Sequence, residues 1–269
     1  MQSLKKYLIF ALLLSLNNFH ANEYQNIFGS VGAVYTPSAR FHEEGTLSIG
    51  LARDNLFSRG NLLAQPYEWL EVSIFYADIP NKPYKASLGQ SYKDKGFNTK
   101  VLLFKENEKT PQIAIGLSDF AGTGLFSGEY LVASKNFNNF DFSIGIGWGV
   151  YGGFSKFKNP FTLLNASFES RNSNYDNVGE LDSEDYFSGK QSSLFSSIKY
   201  KTSNGNFIVE LGEITLAENR FGGQPDNSKL NLGYRKNFFG NLNLSLFLND
   251  EKSFKMQLEF NENFSKIKS

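Results

Sequence analysis

The chain has 269 residues, with 27 basic and 27 acidic side chains, and aromatic residues make up 16% of it although its mean hydropathy is −0.34. This balance of charge leaves no electrostatic footprint for nucleic acid, so we expect no nucleic-acid partner. The sequence contains no cysteine, so we expect no disulfides, no thiol catalysis and no lipoprotein anchor. Strands with one apolar and one polar face fit this composition better than apolar membrane helices do.

Residues 1–21 are predicted to be a signal peptide. Lys5 and Lys6 supply its positive charge, and residues 7–16 form an apolar run that is too short to span a bilayer as a helix. We expect cleavage after Ala21. The sequence therefore predicts export from the cytoplasm, with which the absence of cysteine is compatible.

An N-terminal segment of residues 22–45 follows, and the pattern leaves two structures open for it. Residues 28–35 form either a first strand, paired in a hairpin with residues 46–53, or a plug that lies in the lumen of a barrel. The hairpin would raise a count of ten strands to twelve.

Alternation with period two dominates the rest of the chain. Phe140, Phe142 and Ile144 alternate with Asp141 and Ser143, and residues 242–248 and 254–260 behave in the same way. Soluble β-sandwiches also alternate. The signal peptide and the charges at inward positions favour a membrane barrel instead.

The lengths of the connections also favour a membrane barrel. Outer-membrane barrels have short periplasmic turns and longer extracellular loops. Long connections at residues 80–95, 151–189 and 213–227 alternate here with short ones at residues 107–110, 137–139, 202–205 and 237–240. We therefore predict an all-β, antiparallel transmembrane β-barrel of the bacterial outer membrane, with 10–12 strands over residues 46–264.

Turn positions predict which charges meet inside the barrel. A tight Asn-Gly turn would set Lys199 opposite Glu210, and a three-residue turn at residues 137–139 would set Lys135 opposite Asp141. Cross-strand pairs of opposite charge stabilise a sheet. These four residues are the predicted lumen charge pairs.

Six further residues are candidates for binding polysaccharide or a protein partner. Lys93, Asp94 and Lys95, in the predicted loop 80–95, are either an anion-binding cluster or solvated loop charges. Asp119 with Glu129 is a weak candidate for a cation site, and we expect no metal.

The sixth candidate is Arg40, which either binds substrate or folds back to a lumen carboxylate such as Glu210 or Glu259. Without the signal peptide, His42 is the only histidine, and it is predicted to lie in a surface turn. Enzymes that are outer-membrane barrels usually need a histidine or an acidic cluster beside a nucleophile or water. We therefore expect no enzymatic activity and no cofactor.

An ordered set of short segments resembles the YjbH-like family, and together these segments cover residues 29 to about 200. They are TPSAR (36–40) with Gly45, QPYEWLE (65–71), QSYKDKGF (90–97), PQIA (111–114), GTG (122–124), GEY (128–130), ASK (133–135), GWG (147–149) and NPF (159–161). The resemblance implies an outer-membrane protein of polysaccharide loci. Longer members of the family carry further barrel sequence, so the chain is expected either to work alone or to work with a second chain that supplies that part.

The expected function is therefore that of a non-enzymatic outer-membrane barrel in exopolysaccharide or capsule production or secretion. A narrow passive outer-membrane channel is the alternative. The expected partners are outer-membrane lipid, polysaccharide and proteins of the export system.

Overall fold

The protein is a closed antiparallel β-barrel. A computed structural model describes residues 23–85, 89–171, 185–214 and 228–266, and the predicted signal peptide lies outside these ranges. The strands are β1 (Thr46–Arg53), β2 (Ser58–Tyr67), β3 (Leu70–Lys85), β4 (Gln90–Phe104), β5 (Gln112–Ser118), β6 (Gly128–Phe137), β7 (Phe140–Gly147), β8 (Lys156–Lys158), β9 (Gln191–Thr202), β10 (Gly205–Leu211), β11 (Leu230–Phe238), β12 (Leu242–Asn249) and β13 (Phe254–Asn263).

Twelve of these strands form the wall, and β8 adds a short extension beside one end of β9. β13 pairs with β1, and β9 pairs with both β7 and β10, so the sheet closes on itself. This confirms the predicted all-β, antiparallel barrel. No helix in the described part of the chain is long and apolar enough to cross a membrane.

The wall has one apolar and one polar face, as the alternation predicts. In β13, Phe254, Met256 and Leu258 point outward and are exposed, whereas Lys255 and Gln257 point inward and are buried. Exposed apolar side chains at alternate positions also mark the outward face of the other long strands. The inward positions carry most of the buried polar side chains.

The connections divide the barrel into two ends, which we name the turn end and the loop end. At the turn end the strands are joined by residues 68–69, 105–111, 138–139, 203–204 and 239–241. The longer connections, which follow β5, β7 and β10, begin and end at the opposite loop end.

The prediction of a long loop at residues 80–95 is wrong, because β3 and β4 continue through most of these residues. Cross-strand pairing extends to Asp78 opposite Lys93 and Ile79 opposite Tyr92. Pro83 resembles a loop signal in the sequence, but it lies at a shift in register, where a strand tolerates proline. Of the other two predicted loops, residues 172–184 and 215–227 lie outside the described ranges.

The N-terminal segment lies inside the barrel, and residues 28–35 form no wall strand. β1 pairs instead with β2, a strand that the sequence pattern did not indicate. The polar start of β2, Ser-Arg-Gly-Asn, and its Pro66 obscure the alternation there. We call residues 23–45 the plug.

Both predicted charge pairs have the wrong register. The turn before Gly205 lies one residue earlier than expected, and the turn before Phe140 is one residue shorter than expected. Lys199 lies opposite Ile208, and Glu210 lies two residues further along β10. Lys135 lies opposite Phe142, one residue away from Asp141. A shift of two keeps each side chain on its face, but a shift of one exchanges the faces. Lys135 is therefore on the outward face and Asp141 on the inward face.

The outward face predicts a large effect of charge at Leu246, which lies in β12 opposite Met256. In lipid, Leu246→Arg is expected to destabilise the barrel by roughly 2–4 kcal/mol, whereas Leu246→Phe keeps the site apolar and costs little. Urea unfolding of protein refolded into vesicles measures both. Equal losses for the two variants would contradict the assignment of the faces.

Candidate functional site

The plug fills the lumen, and its apolar side chains form a core with the wall and the loops. Phe28 is the centre of this core, with ring centroids 5.7 Å from Phe126 and 6.2 Å from Phe57. Tyr151, from the connection after β7, packs edge-on against Phe28 at 6.1 Å. The loop-end half of the lumen is therefore packed with aromatic rings.

Side chains of the wall also provide hydrogen-bond partners for the backbone N–H and C=O groups of the plug. The Glu210 carboxylate accepts hydrogen bonds from the N–H groups of Val34 (2.8 Å), Tyr35 (3.0 Å) and Thr36 (2.9 Å). On the acceptor side, the Arg235 guanidinium donates to the carbonyls of Gly32 (2.7 Å), Gln25 (3.0 Å) and Ala33. Buried peptide groups need such partners, and here one anion and one cation of the wall supply them.

A buried ion pair holds the middle of the plug. Lys100 and Glu71 are both buried, with Nζ and Oε2 2.9 Å apart. Ser30 donates to Glu71 at 2.5 Å, and Lys100 donates to the carbonyl of Arg40 at 2.7 Å. Both charges of this pair therefore also contact the plug.

At the turn end, six charged residues join both ends of the plug to the wall. Arg40 contacts Asp141 at 2.7 Å and Glu106 at 2.6 Å. Lys199 contacts Glu23 at 2.6 Å and Asp141 at 3.4 Å. Lys135 reaches Glu106 at 3.2 Å. We call this set the clasp; it consists of Glu23, Arg40, Glu106, Lys135, Asp141 and Lys199.

The clasp brings together four of the residues singled out from the sequence, but with different partners. Asp141, rather than Glu210 or Glu259, is the lumen carboxylate that receives Arg40. Glu106 was missed because it lies in a short connection that shows no alternation.

Lys93, Asp94 and Lys95 do not form one cluster, because they lie on β4 and alternate between its faces. Lys93 pairs with Asp78 on the outward side at 2.5 Å, and Lys95 is exposed. Asp94 points inward and is buried. The predicted loop position of these three residues is wrong, and the structure does not bring them into one anion-binding cluster.

Asp94 instead shares an inward site at the loop end with Asp119. Thr123 donates to Asp94 at 2.6 Å, and the N–H of Phe126 donates to Asp119 at 3.0 Å. Any Cβ at Gly96 or Gly122 would collide with the Asp119 carboxylate. The segments around Asp94, Asp119 and the Gly-Thr-Gly sequence therefore meet in space, and their glycines allow the close approach.

Arg59 lies near both carboxylates, and its positive charge acts on both. Its guanidinium carbon is 3.5 Å from the centre of the Phe75 ring, and its Nη2 donates to the carbonyl of Phe28 at 2.9 Å. Arg59 therefore connects the plug to the site of Asp94 and Asp119.

Glu129 lies apart from Asp119, so the two do not form a cation site. Arg171 contacts Glu129 at 2.6 Å, and the N–H of Phe187 donates to it at 3.0 Å. In the described part of the chain, no group of three or more His, Cys, Asp or Glu residues is arranged to hold a metal.

His42 is buried in the plug, which corrects the expected surface turn. Its Nε2 lies 3.8 Å from Glu259 Oε1, beyond hydrogen-bond distance. Burial lowers the pKa of His42 to about 4, so the ring is neutral at neutral pH.

Four charges that hold the middle of the plug were not predicted from the sequence, namely Arg59, Glu71, Lys100 and Arg235. Each lies on a wall strand at an inward position. An ionisable residue at an inward position needs a partner. Charged residues at the inward positions of the alternating pattern could therefore have indicated these contacts.

The clasp predicts a measurable role for Asp141, the only buried carboxylate in it that contacts two cations among the described residues. Asp141→Asn is expected to destabilise the barrel by roughly 3 kcal/mol, because a buried ion pair loses one partner. Glu68→Gln breaks the exposed pair with Lys105 and serves as the matched control, with no measurable change expected. Urea unfolding measures both, and equal effects would mean that the clasp contributes no more than a surface pair.

Asp119 predicts a dependence of stability on pH. Burial raises the pKa of its carboxyl well above the ordinary value, Asp94 raises it further, and Arg59 and the N–H of Phe126 oppose the rise. The folded state thus holds a proton that the unfolded chain releases. The contribution of Asp119 to stability is therefore full below the ordinary aspartate pKa and is lost as the pH rises through the folded-state pKa.

Asp119→Asn is accordingly expected to reduce the fall in stability with rising pH, since the amide cannot ionise. Asparagine also tolerates the backbone φ of 51° at this position. Unfolding free energies measured between acidic and weakly alkaline pH test this, with Glu251→Gln on an exposed turn as the control. A wild-type pH slope in the Asp119→Asn protein would contradict the assignment.

Comparison with known proteins supports a family assignment. A sequence profile of the YjbH family, described as exopolysaccharide biosynthesis protein YbjH, matches residues 24–269. The "Uncharacterized lipoprotein YjbH" of Escherichia coli (strain K12) is 36% identical over 229 residues, which cover 82% of this chain and 33% of that protein. The chain thus spans about a third of the length of the curated relative that it matches.

A solved chain from work called "Unveiling the Mechanism Behind the in-meso Crystallization of Membrane Proteins" aligns over 83% of this chain and 85% of its own length. It is 10% identical, with a TM-score of 0.38. The family profile covers residues 24–269, and the E. coli relative is 36% identical. The chain belongs to the YjbH family of exopolysaccharide biosynthesis proteins.

Proposed function

We propose that this chain is a non-enzymatic outer-membrane barrel that serves the production or secretion of exopolysaccharide. The observation that carries the proposal is the closed twelve-strand wall with an apolar outward face and a polar inward face. Closed barrels leave no unpaired strand edge, and they are the form in which β-structure crosses a bilayer. Membership of the YjbH family supplies the link to exopolysaccharide.

The outward face also supports an orientation for the barrel. Short turns face the periplasm and long loops face outside in barrels of this kind. Aromatic side chains gather at the turn end, where Tyr67 stacks on Trp69 at 5.7 Å and Phe140 packs on Tyr200 at 4.7 Å. Such rings favour the membrane–water interface. The turn end and the clasp therefore face the periplasm in this proposal.

The packed lumen favours an accessory role over the alternative, a narrow passive channel. A barrel of about eight strands is filled by its own side chains, whereas wider barrels leave room for a ligand, a channel or a plug. Here the plug occupies that room, and buried charges such as Glu210 and Arg235 hold it. Free passage would require the plug to leave.

The surroundings of His42 support a non-enzymatic role. Its Nε2 has no hydrogen-bond partner within the described ranges, whereas a base that activates a nucleophile needs to be within hydrogen-bond reach of it. Glu259 Oε1 lies 3.8 Å from Nε2, beyond hydrogen-bond distance. The ring is therefore buried packing between the plug and the wall.

The family assignment bears on the partners of the chain. We propose that the chain works with proteins of the export system for exopolysaccharide. The clasp end is the accessible side for a periplasmic partner.

Deletion of the gene in the native host tests the proposal. Surface polysaccharide is expected to fall on deletion and to return with the wild-type gene, and the protein is expected to fractionate with outer membranes and to show heat-modifiable migration. The matched pair Asp141→Asn and Glu68→Gln relates the phenotype to the clasp, because only the first is expected to lower the polysaccharide.

Three outcomes would contradict the proposal. Recovery as a soluble periplasmic monomer would exclude the barrel in the membrane. Normal polysaccharide in the deletion strain would exclude the role in its production. Steady conductance of the purified wild-type protein in planar bilayers would favour the passive channel over the plugged accessory barrel.

A further inference from the structure

The long connection after β7 folds against the outside of the barrel at the loop end. Trp148 continues the outward-facing positions of β7, and Glu129 does the same for β6; the two are joined by a backbone hydrogen bond of 2.9 Å. Both side chains are buried, although Leu131 and Ile144, outward residues lower on the same two strands, are exposed. Something therefore covers the outward face at this level.

The cover is a compact aromatic unit from the same connection. The rings of Phe161 and Phe187 pack on Trp148 at 5.5 and 5.2 Å, and Phe168 packs on Phe161 at 5.5 Å. Arg171 closes it with the ion pair to Glu129. We call residues 159–171 together with residues 185–189 the rim module.

Hydrogen bonds hold the rim module in one conformation. The fully buried side chain of Asn159 donates to the carbonyls of Phe187 (2.8 Å) and Gly189 (2.9 Å), and it accepts from the N–H of Phe161 (3.0 Å). Tyr186 donates to the carbonyl of Phe120 at 2.8 Å, and Phe120 packs on the outward-facing Phe97 of β4. The module thus follows the outer rim from β7 to β4.

This fixed unit exposes two leucines. Leu163 ends the 3₁₀ helix Pro160–Leu163, Leu164 follows it, and their exposed fractions are 79% and 77%. Both exceed the exposed fraction of every outward-facing strand leucine among the described residues. Because Asn159 and the aromatic rings fix the backbone, the exposure is a built feature of the module.

The height of the module along the wall indicates what the leucines meet. Phe140 belongs to the group of aromatic side chains that surrounds the barrel at the turn end. Trp148 lies eight residues further along the strand direction. At about 3.4 Å per residue and a tilt of about 40°, this separation is roughly 20 Å, against an apolar band of about 25 Å. The module therefore lies at the upper edge of the band, where amphipathic aromatic side chains gather.

We propose that the rim module is an interfacial anchor, and that Leu163 and Leu164 enter the outer-leaflet lipid at the boundary between headgroups and acyl chains. The inference rests on the proposed location in the outer membrane. Continuity with the exposed wall residues below, such as Leu131 and Ile144, favours lipid as the occupant. A second protein is disfavoured, because two leucines offer far less than the about 800 Å² per partner that a stable interface buries.

Site-directed fluorescence tests the anchor directly, since the chain has no cysteine of its own. Single cysteines replace Leu163, Leu164, Met256 and Glu251, each is labelled with bimane, and the full chain is refolded into phosphatidylcholine vesicles. Quenching is then compared for aqueous iodide and for lipids spin-labelled either near the headgroup or deep in the acyl chain. Met256 reports the lipid-facing wall, and Glu251, on another loop-end connection, reports water.

The probes at Leu163 and Leu164 are expected to be quenched several-fold more by the shallow lipid label than the probe at Glu251, and to be protected from iodide. Access of iodide without lipid quenching would overturn the anchor. Protection from both quenchers would also overturn it, because it would place protein, such as a second copy, on the leucines. A probe at Met256 that no lipid label quenches would instead contradict the proposed membrane location itself.

Discussion

The structure depends on one constraint: a twelve-strand barrel is too wide for its own side chains to fill, so a segment of backbone fills it. That segment, the plug, brings peptide N–H and C=O groups into a space with little water, where each needs a partner. Glu210 supplies three N–H groups with an acceptor, and Arg235 supplies three carbonyls with a donor. The charges on the inner wall are therefore explained by the backbone that they hold.

Wall and plug thus specify each other. A buried Lys100 or Glu71 without its partner would cost several kcal/mol, so each stabilises the fold only while the plug and the opposite charge are in place. The same holds for Arg59, which stacks on Phe75 and donates to the plug. A polar inner wall is usually associated with water-filled channels. Here it accompanies a packed interior, so inward polarity in a sequence does not by itself indicate an open pore.

Some features of this fold could be predicted from the sequence because they repeat. The alternation of Phe254, Met256 and Leu258 with polar residues identifies a strand and its faces from short-range pattern alone. Features that depend on the length of a single turn could not be predicted from the sequence. One residue less in the turn before Phe140 moves Lys135 to the outward face, and no local pattern records that difference. The contact of Asp94 with Thr123 depends on strands that the long-loop prediction had removed, and Glu106 enters the clasp from a turn without periodicity.

The distribution of exposure across the contacts of the plug determines where it is held least tightly. At the loop end and in the middle, Phe28, Glu210 and Arg235 are each at most 1% exposed. In the clasp only Asp141 is buried; the side chains of Glu23, Arg40, Glu106 and Lys199 are 12–20% exposed, so solvent already screens them in part. Partly solvated ion pairs contribute less than buried ones, and they separate with less desolvation cost. Both ends of the plug are at the turn end, so a displacement that begins there breaks the weakest contacts first, whereas one that begins at the loop end must first open the aromatic core.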